Sequence, residues 1–241
     1  MSLLSVAGVT KRFGGVVANQ NITLEVAAGE LVGIIGPNGA GKSTLFDVIT
    51  GFYRPDSGEV RLEGRHLTGL RPDQVSRLGV ARTFQKLRPF SGMTVVENVM
   101  VGAFQKHPDP GRARARAMQI LDRVGLAHMA KAHARALSTG QRKRLELARA
   151  LATEPRLLLL DEVTGGVDQG TIPGLIRLVR ELHEGGVTLV VIEHNVRVIM
   201  AIARRIVALH VGEVIADGPP EAVMRDRRLI ETYLGQAYAR E

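Results

Sequence analysis

One eight-residue stretch combines glycine, lysine and serine at a spacing suited to holding phosphate. Gly36–Ser43 has four residues between its first glycine and Gly41, and Lys42 follows directly. Glycines let a backbone approach an anion closely, and the N–H groups that open a helix attract negative charge. The stretch follows an apolar run and precedes a predicted helix over Lys42–Thr50. The sequence therefore predicts a phosphate-binding loop, and a simple glycine-rich turn is the alternative.

The predicted roles within this loop follow from the chemistry of each group. The Lys42 ammonium is suited to the β- and γ-phosphates of a nucleotide, and the Ser43 hydroxyl to a Mg²⁺ ion. Thr44 is expected to support the loop from behind. The remaining nucleotide contacts are predicted at Gly36, Asn38, Gly39, Ala40 and Gly41.

Two adjacent carboxylates follow a second apolar run. Asp161 and Glu162 come directly after Leu157–Leu160. We expect Asp161 to hold the metal, and Glu162 to orient and polarise a water for in-line attack on the γ-phosphate. An acidic pair after a strand also occurs as a strand terminator or helix cap. The phosphate loop favours the functional interpretation.

The elements that must position these groups are predicted from apolar runs alternating with helical segments. Leu31–Ile35, Leu157–Leu160 and Val187–Ile192 are apolar at nearly every position, as in central strands covered on both faces. Each leads into a polar cluster. Parallel sheets bind ligands beyond the carboxyl ends of their strands, so the pattern predicts an α/β fold with one site at that edge.

Two other regions depart from this alternation. Between Glu97 and Ala152 the sequence is rich in alanine and arginine at helical spacing, with breaks near Pro108–Gly111 and at Gly125. We predict a helical subdomain there. Asn21–Val26 alternates apolar and polar residues, which predicts an antiparallel piece beside the main sheet.

Composition limits the classes of protein that remain. The chain has 241 residues, 45% of them hydrophobic, which favours one compact domain. The longest apolar runs stop far short of the roughly 18 residues that span a bilayer, and the basic pair Lys11 and Arg12 follows the mildly apolar start instead of preceding it. We therefore expect a cytoplasmic protein. Without cysteine, the chain has no disulfide, thiolate metal site or cysteine nucleophile.

The net charge of +8 is concentrated in one segment. Residues 101–150 carry 11 Lys and Arg against three acids, whereas the other 191 residues carry 21 of each sign. Arg112, Arg114 and Arg116 stand at alternate positions, which spread over about 200° of a helix and cannot all face a core. A solvated helix face and a surface that meets anionic phosphates both remain open.

The segment Leu137–Gln141 connects these observations to a family. It reads Leu-Ser-Thr-Gly-Gln, precedes a predicted helix over Arg142–Leu151, and stands about twenty residues before Asp161. It resembles the signature motif of ABC proteins, at the position where that family carries it. In isolation it would be a helix cap formed by Ser138. The resemblance implies a P-loop NTPase fold with a RecA-like core, an antiparallel β subdomain and a helical subdomain.

The resemblance implies roles for further residues. Phe13 resembles the adenine-stacking aromatic, Gln85 the Q-loop glutamine that also serves the metal, and His194 the switch histidine. The implied catalytic set is Lys42, Gln85, Glu162 and His194, and the implied metal ligands are Ser43, Gln85 and Asp161. The nucleotide also meets Ser138, Gly140, Gln141 and the D-loop residue Asp168. The expected cofactors are ATP and Mg²⁺.

The resemblance also implies an assembly. In ABC proteins the signature of one subunit closes over the nucleotide held by the phosphate loop of the other. The expected partners are therefore a second ATPase subunit, transmembrane permeases and, indirectly, a periplasmic binding protein. The expected location is peripheral, on the inner face of the plasma membrane. The implied organisation is a single domain, 1–241, with a core of about 1–90 and 152–241 and a helical subdomain of about 91–151.

Short segments resemble one branch of the family more closely. These are Arg82–Gln85, Met93–Val99, Thr44–Phe46, Ile49–Gly51 and Tyr233–Gly235. They look like the ATPase subunits of branched-chain amino-acid importers, although urea-type importers and the lipopolysaccharide exporter have similar subunits. One departure is Val163, which replaces the proline usual after the catalytic glutamate.

Two rival classes follow from the same residues. A soluble ABC ATPase acting on nucleic acid would suit the basic charge, but such machines usually carry coiled-coil insertions or two cassettes, for which 241 residues leave no room. A module that binds ATP without turnover is disfavoured because Glu162 and His194 are both present. We expect no nucleic-acid partner.

Overall fold

The structure is a computed structural model that describes residues 2–235, and these residues form two compact units. The first unit joins residues 2–78 to residues 188–235, and the second unit is Gly79–Val187. The predicted domain 1–241 also contains Met1 and residues 236–241, which lie outside the described residues. Its single-domain organisation and its internal boundaries stay predictions.

Strands and helices alternate along most of the chain. The strands are β1 (Ser2–Phe13), β2 (Val16–Ala27), β3 (Leu31–Ile35), β4 (Ser57–Leu62), β5 (Arg65–His66), β6 (Val80–Arg82), β7 (Leu157–Asp161), β8 (Thr188–Ile192), β9 (Arg205–His210) and β10 (Glu213–Gly218). The α-helices are α1 (Lys42–Ile49), α2 (Pro72–Arg77), α3 (Val95–Ala103), α4 (Pro110–Arg123), α5 (Thr139–Leu151), α6 (Ile172–Glu184), α7 (Val196–Ile202), α8 (Pro220–Met224) and α9 (Arg227–Leu229). Short 3₁₀ turns cover Ala127–Met129 and Ala134–Ala136, and a π-helical turn covers Ile230–Leu234.

The first unit contains an antiparallel sheet and a group of parallel strands. The antiparallel strands follow the order β2-β1-β4-β5. In the parallel group, β3 lies between β8 and β9 and is parallel to both, while β10 pairs antiparallel with β9. Every residue of β3 and β8 is buried, which explains why both strands are apolar at nearly every position. The core of this unit therefore fixes the position at which β3 ends and the phosphate loop begins.

The second unit combines a parallel strand pair with helices. Val80 to Arg82 of β6 lie opposite Leu157 to Leu159 of β7. Helix α3 packs on α4 and α5, and the approach is so close that a Cβ on Gly102 would lie 2.5 Å from the Arg149 carbonyl oxygen. The contact requires glycine. It holds α5, and with it the signature segment at its start, against the rest of the helical layer.

The helix starts in this unit are specified locally. The side chains of the N-cap residues Thr94 and Ser138 accept hydrogen bonds from the backbone N–H groups of Glu97 and Gln141. The side chains of Glu97 and Gln141 in turn accept from the backbone N–H groups of Thr94 and Ser138. Asp109 caps α4, with a proline at the first helical position. The caps are therefore encoded in short sequence signals, and at the start of α3 the N–H groups of Val95 and Val96 also donate to the carbonyl oxygens of Ala132 and Ala130.

The predicted α/β class and the three central strands are confirmed. The antiparallel piece predicted at Asn21–Val26 is present and longer, since β2 covers Val16–Ala27. The helical region is also present, with breaks where proline and glycine predict them, although its first helix begins at Val95. No helix within residues 2–235 is long and apolar enough to cross a membrane.

The arginines of α4 lie outside the helical core. Ala113, Ala117, Ile120 and Leu121 form the buried face of the helix. Arg112 and Arg114 are exposed, and the Arg116 guanidinium lies 2.9 Å from the Glu154 carboxylate. Arg112 and Arg114 therefore contribute positive charge to the surface of the second unit.

Candidate functional site

The phosphate loop of the first unit has a backbone shape that only glycine adopts readily. Gly36, Gly39 and Gly41 have φ angles of 147°, 81° and 96°. A Cβ on Gly41 would lie 2.1 Å from the Ala18 carbonyl oxygen, and the Asn19 side-chain amide donates to the Gly41 carbonyl at 3.0 Å. Packing against β2 therefore fixes the loop in the curved form that directs its N–H groups towards an anion.

Lys42 lies within this curve. Its side chain is buried, and its ammonium donates to the carbonyl oxygens of Gly36 at 2.7 Å and Pro37 at 2.9 Å. Asn38 and Ser43 are exposed, Ala40 is buried, and α1 begins at Lys42 itself. The ammonium, the exposed hydroxyl and the positive end of the α1 dipole therefore belong to one short segment, with Thr44 half-buried beside them.

Phe13 is a surface aromatic and not a core phenylalanine. Its side chain is 41% exposed, and its ring makes an edge-to-face contact with Tyr53 at a centroid distance of 5.0 Å. Asp56 accepts from the Arg12 backbone N–H at 2.6 Å and lies 3.4 Å from the Lys11 ammonium, and these contacts hold the pKa of Asp56 below its ordinary value. Tyr53 is an addition that the sequence motifs do not identify.

His194 follows the buried strand β8. The residue is exposed, and its carbonyl oxygen accepts a hydrogen bond from the Tyr233 hydroxyl at 3.2 Å. Burial raises the pKa of Tyr233 above its ordinary value. Asn195 then caps α7 by accepting from the Arg197 N–H. The strand end, the cap and Tyr233 together set the backbone position of His194.

In the second unit, Asp161 is the last residue of β7 and is paired with an arginine. The Arg82 guanidinium donates to the Asp161 carboxylate at 2.9 Å, and both side chains are almost fully buried. The Asp161 backbone N–H donates to the Thr83 hydroxyl at 3.0 Å. Because β6 and β7 pair in parallel, the residues that end both strands meet. The sequence motifs give Arg82 no role. Its position three residues before Gln85 is the sequence feature that could have drawn attention to it.

Gln85 and Glu162 are in direct contact. The Gln85 side-chain nitrogen lies 3.1 Å from each oxygen of the Glu162 carboxylate. Glu162 is half-buried and has φ of 52°, a left-handed conformation that costs a non-glycine residue roughly 1–2 kcal/mol. The next residue, Val163, is buried.

The signature segment and Asp168 share a neighbour. Ser138 caps α5 by accepting from the Gln141 N–H, and the Gln141 side chain accepts from the Ser138 N–H at 2.9 Å. A Cβ on Gly140 would lie 2.7 Å from the Thr171 methyl. The Thr171 hydroxyl and backbone N–H both donate to Asp168, which holds the pKa of Asp168 below its ordinary value. Thr171 is a further residue that the motifs do not identify.

The predicted site residues fall into two groups, each within one unit. Phe13, Gly36–Thr44 and His194 belong to the first unit. The second unit contains Gln85, Asp161, Glu162, Ser138, Gly140, Gln141 and Asp168. Within it, Gln85 and Glu162 touch, and Gly140 and Asp168 meet through Thr171. The first group offers cationic and N–H contacts for phosphate, and the second offers carboxylates for a metal and a water.

Comparisons with known proteins agree with this geometry. Residues 19–165 match the family model described as ABC transporter. The chain is 40% identical to the high-affinity branched-chain amino acid transport ATP-binding protein LivG of Escherichia coli, over 98% of both chains, and 39% identical to BraF of Pseudomonas aeruginosa, over the same shares.

The similar solved structures are also cassettes of ABC transporters. An ATP-binding cassette of an ABC transporter in its ADP conformation has a TM-score of 0.88 and 32% identity, covering 98% of this chain and 100% of its own. A dimeric bacterial ABC transporter cassette has a TM-score of 0.82 and 30% identity, covering 90% of this chain and 98% of its own.

The buried pair formed by Arg82 and Asp161 gives a stability prediction. Arg82→Met removes the cation that pairs with a buried carboxylate, and we expect the free energy of unfolding to fall by about 3–5 kcal/mol in urea denaturation. Arg77→Met is the matched control, because Arg77 pairs with Asp73 at 3.4 Å but is 69% exposed, and its loss should cost about 0–1 kcal/mol. Equal losses in the two variants would show that burial does not govern the Arg82 pair.

Proposed function

This chain belongs to the ABC transporter family and is an ATP-binding, ATP-hydrolysing subunit, and we propose that it powers the import of branched-chain amino acids. The observation that carries the proposal is the 40% identity to LivG, which extends over 98% of both chains. The match therefore covers nearly the full length of both chains.

ATP binding is proposed to begin at the first unit. The exposed Phe13 ring offers a face for adenine, with Tyr53 supporting its edge. The loop glycines bring backbone N–H groups to the phosphates, and Lys42 exchanges its bonds to the loop carbonyls for bonds to the β- and γ-phosphates. Thr44 supports the loop from behind. Binding therefore uses groups that the loop already holds close together.

Magnesium is proposed as the metal cofactor. Ser43, Gln85 and Asp161 supply hydroxyl, amide and carboxylate oxygens, the ligand class that Mg²⁺ prefers. The Gln85 amide directs its nitrogen to Glu162, so its oxygen faces away from that contact. Within residues 2–235, no group of three or more His, Cys, Asp or Glu could hold a metal. Phosphate oxygens of the nucleotide are proposed to complete the coordination. When bound, the ion neutralises charge that develops on the β- and γ-phosphates.

Glu162 is assigned as the residue that activates water for hydrolysis, and Gln85 and His194 are assigned as residues that assist it. Glu162 accepts a proton from the attacking water, and its half-buried carboxylate is oriented by the Gln85 amide. His194, exposed after β8, is assigned to the γ-phosphate. The left-handed backbone at Glu162 is a local strain of the kind found at functional sites.

The complete site is proposed to need a second subunit. Ser138 is exposed at the start of α5, where N–H groups attract phosphate, while Gln141 is half-buried and Gly140 is buried. Asp168 meets the same segment through Thr171. We assign this surface to the γ-phosphate held by the partner subunit. A dimeric cassette among the similar solved structures supports the assignment.

The remaining partners and the location follow from the transport role. The proposed assembly adds transmembrane permeases and, indirectly, a periplasmic binding protein. A single ABC ATPase domain over 1–241 stays part of the proposal. The proposed location is peripheral, on the inner face of the plasma membrane. The exposed Arg112 and Arg114 support it, because anionic lipids attract surface arginines. The proposal includes no nucleic-acid partner.

Uptake of labelled amino acids tests the transport role. Deleting the gene from its host should abolish high-affinity uptake of leucine, isoleucine and valine, and the wild-type gene should restore it. A gene carrying Glu162→Gln should not restore uptake, because the assembly would form without turnover. Unchanged leucine uptake, with loss of urea uptake or of lipopolysaccharide export, would assign the subunit to another transporter.

Glu162→Gln tests the assignment of the water-activating residue. The amide still hydrogen-bonds a water but cannot take its proton, so phosphate release from MgATP should fall roughly 10²- to 10⁴-fold. ATP affinity, measured by equilibrium binding, should stay near the wild-type value because the phosphate loop is unchanged. A hydrolysis rate equal to that of the wild type would remove Glu162 from this role.

Phe13→Ala tests the adenine platform. Stacking on an aromatic side chain is worth about 1–3 kcal/mol per base, so affinity for a fluorescent ATP analogue should fall by that amount while the melting temperature stays near wild type. Phe104→Ala is the matched control, since Phe104 is also 41% exposed but belongs to the second unit. Unchanged affinity, or a collapse of the melting transition, would make Phe13 a structural residue.

A further inference from the structure

Three charged side chains on α5 form hydrogen bonds with backbone groups outside the helix. Lys143 donates to the Glu162 carbonyl oxygen at 2.6 Å, and Glu146 accepts from the Phe84 N–H at 2.7 Å. Arg149 donates to the Arg88 carbonyl oxygen at 2.8 Å. The three residues stand at intervals of three, which places them along one side of the helix. One helix therefore holds two separate loops by their backbones.

The two loops are those that carry the proposed hydrolytic residues. Lys143 holds Glu162 by its own carbonyl, and Glu162 is the residue with φ of 52°. Phe84 directly precedes Gln85, so Glu146 fixes the loop that presents the amide to the Glu162 carboxylate. The contact between Gln85 and Glu162 thus depends on two hydrogen bonds from the same helix.

Lys143 has a charged side chain at a buried position, which indicates a role beyond packing. The side chain is 4% exposed, and a buried ammonium is costly unless it is paired and hydrogen-bonded. A leucine or methionine would fill the position without that cost. Burial raises the pKa of the neighbouring Glu146 carboxyl, while Lys143 and Arg149 act against the rise. The helix therefore keeps a charged group at Lys143 where an apolar side chain would pack more easily.

We propose that Lys143 is a positioning residue for ATP hydrolysis, which fixes the Glu162 backbone and links the signature end of α5 to the water-activating loop. The inference rests on the proposed role of Glu162 and on the proposed dimer. In that dimer, Ser138 and Gly140 contact the nucleotide of the partner, whereas Glu162 serves the nucleotide of its own subunit. A shift of α5 on closure of one site therefore reaches Glu162 of the other through Lys143.

The first test separates positioning from folding. In the purified full chain, Lys143→Met should lower kcat by about 100-fold, the size expected when a reacting group is displaced by about 1 Å, with ATP affinity within about twofold of wild type. Lys143→Arg keeps a donor and should recover most of the rate. Should Lys143→Met fail to fold, Lys143→Gln replaces it, since its shorter amide does not reach the Glu162 carbonyl.

Arg144→Met is the matched control for this series. Arg144 is the next residue of α5 and also donates to a backbone carbonyl, that of Val124 at 2.9 Å, but it holds neither loop. Arg144→Met should lower the melting temperature about as much as Lys143→Met does, but its kcat should stay within about twofold of wild type. Equal rate losses in the Lys143 and Arg144 variants, or a wild-type kcat in Lys143→Met, would overturn the proposal.

A double variant shows whether Lys143 acts through Glu162. If it does, Lys143→Met should lower the residual rate no further in a Glu162→Gln background, because interacting residues are not additive. Independent rate losses that multiply would overturn the proposal. A wild-type rate in Glu162→Gln alone would instead overturn the assignment of Glu162, so failure of the proposed function is distinguishable from failure of the inference.

Discussion

The left-handed backbone at Glu162 is the constraint around which the second unit is arranged. A residue with φ of 52° turns its carboxylate and its carbonyl in directions that a β-strand residue does not offer. The carboxylate meets the Gln85 amide, and the carbonyl meets Lys143. Arg82, Thr83 and the register of β6 with β7 hold the preceding Asp161. Because unfavourable backbone conformations persist only when their surroundings hold them, these contacts are what maintain the presentation of Glu162.

The first unit applies the same principle to the phosphate loop. Its three glycines take φ angles that other residues resist, and β2 occupies the space that a side chain on Gly41 would need. Lys42 remains buried because the loop carbonyls accept its hydrogen bonds. Both units therefore present their reactive groups from short, constrained segments that directly follow fully buried strands, β3 in one and β7 in the other.

Much of this arrangement is local in sequence and could be predicted. The apolar runs of β3, β7 and β8, the glycine spacing of the loop and the caps of the helices are all short signals. Arg82, Tyr53, Thr171 and Lys143 could not be predicted in the same way. Arg82 and Asp161 are separated by 79 residues, and Lys143 and Glu162 by 19. Their contacts depend on strand register and on the rotation of α5, which residue type and spacing do not specify.

In the proposed assembly, each nucleotide site is completed by the signature segment of a second copy or a similar subunit. Light scattering of the Glu162→Gln variant with and without MgATP tests it most directly, because slow turnover should trap the ATP-bound state. We expect a particle of twice the single-chain mass that holds two nucleotides and returns to single chains when ATP is removed. A single chain that binds ATP at saturation without change of mass would contradict it.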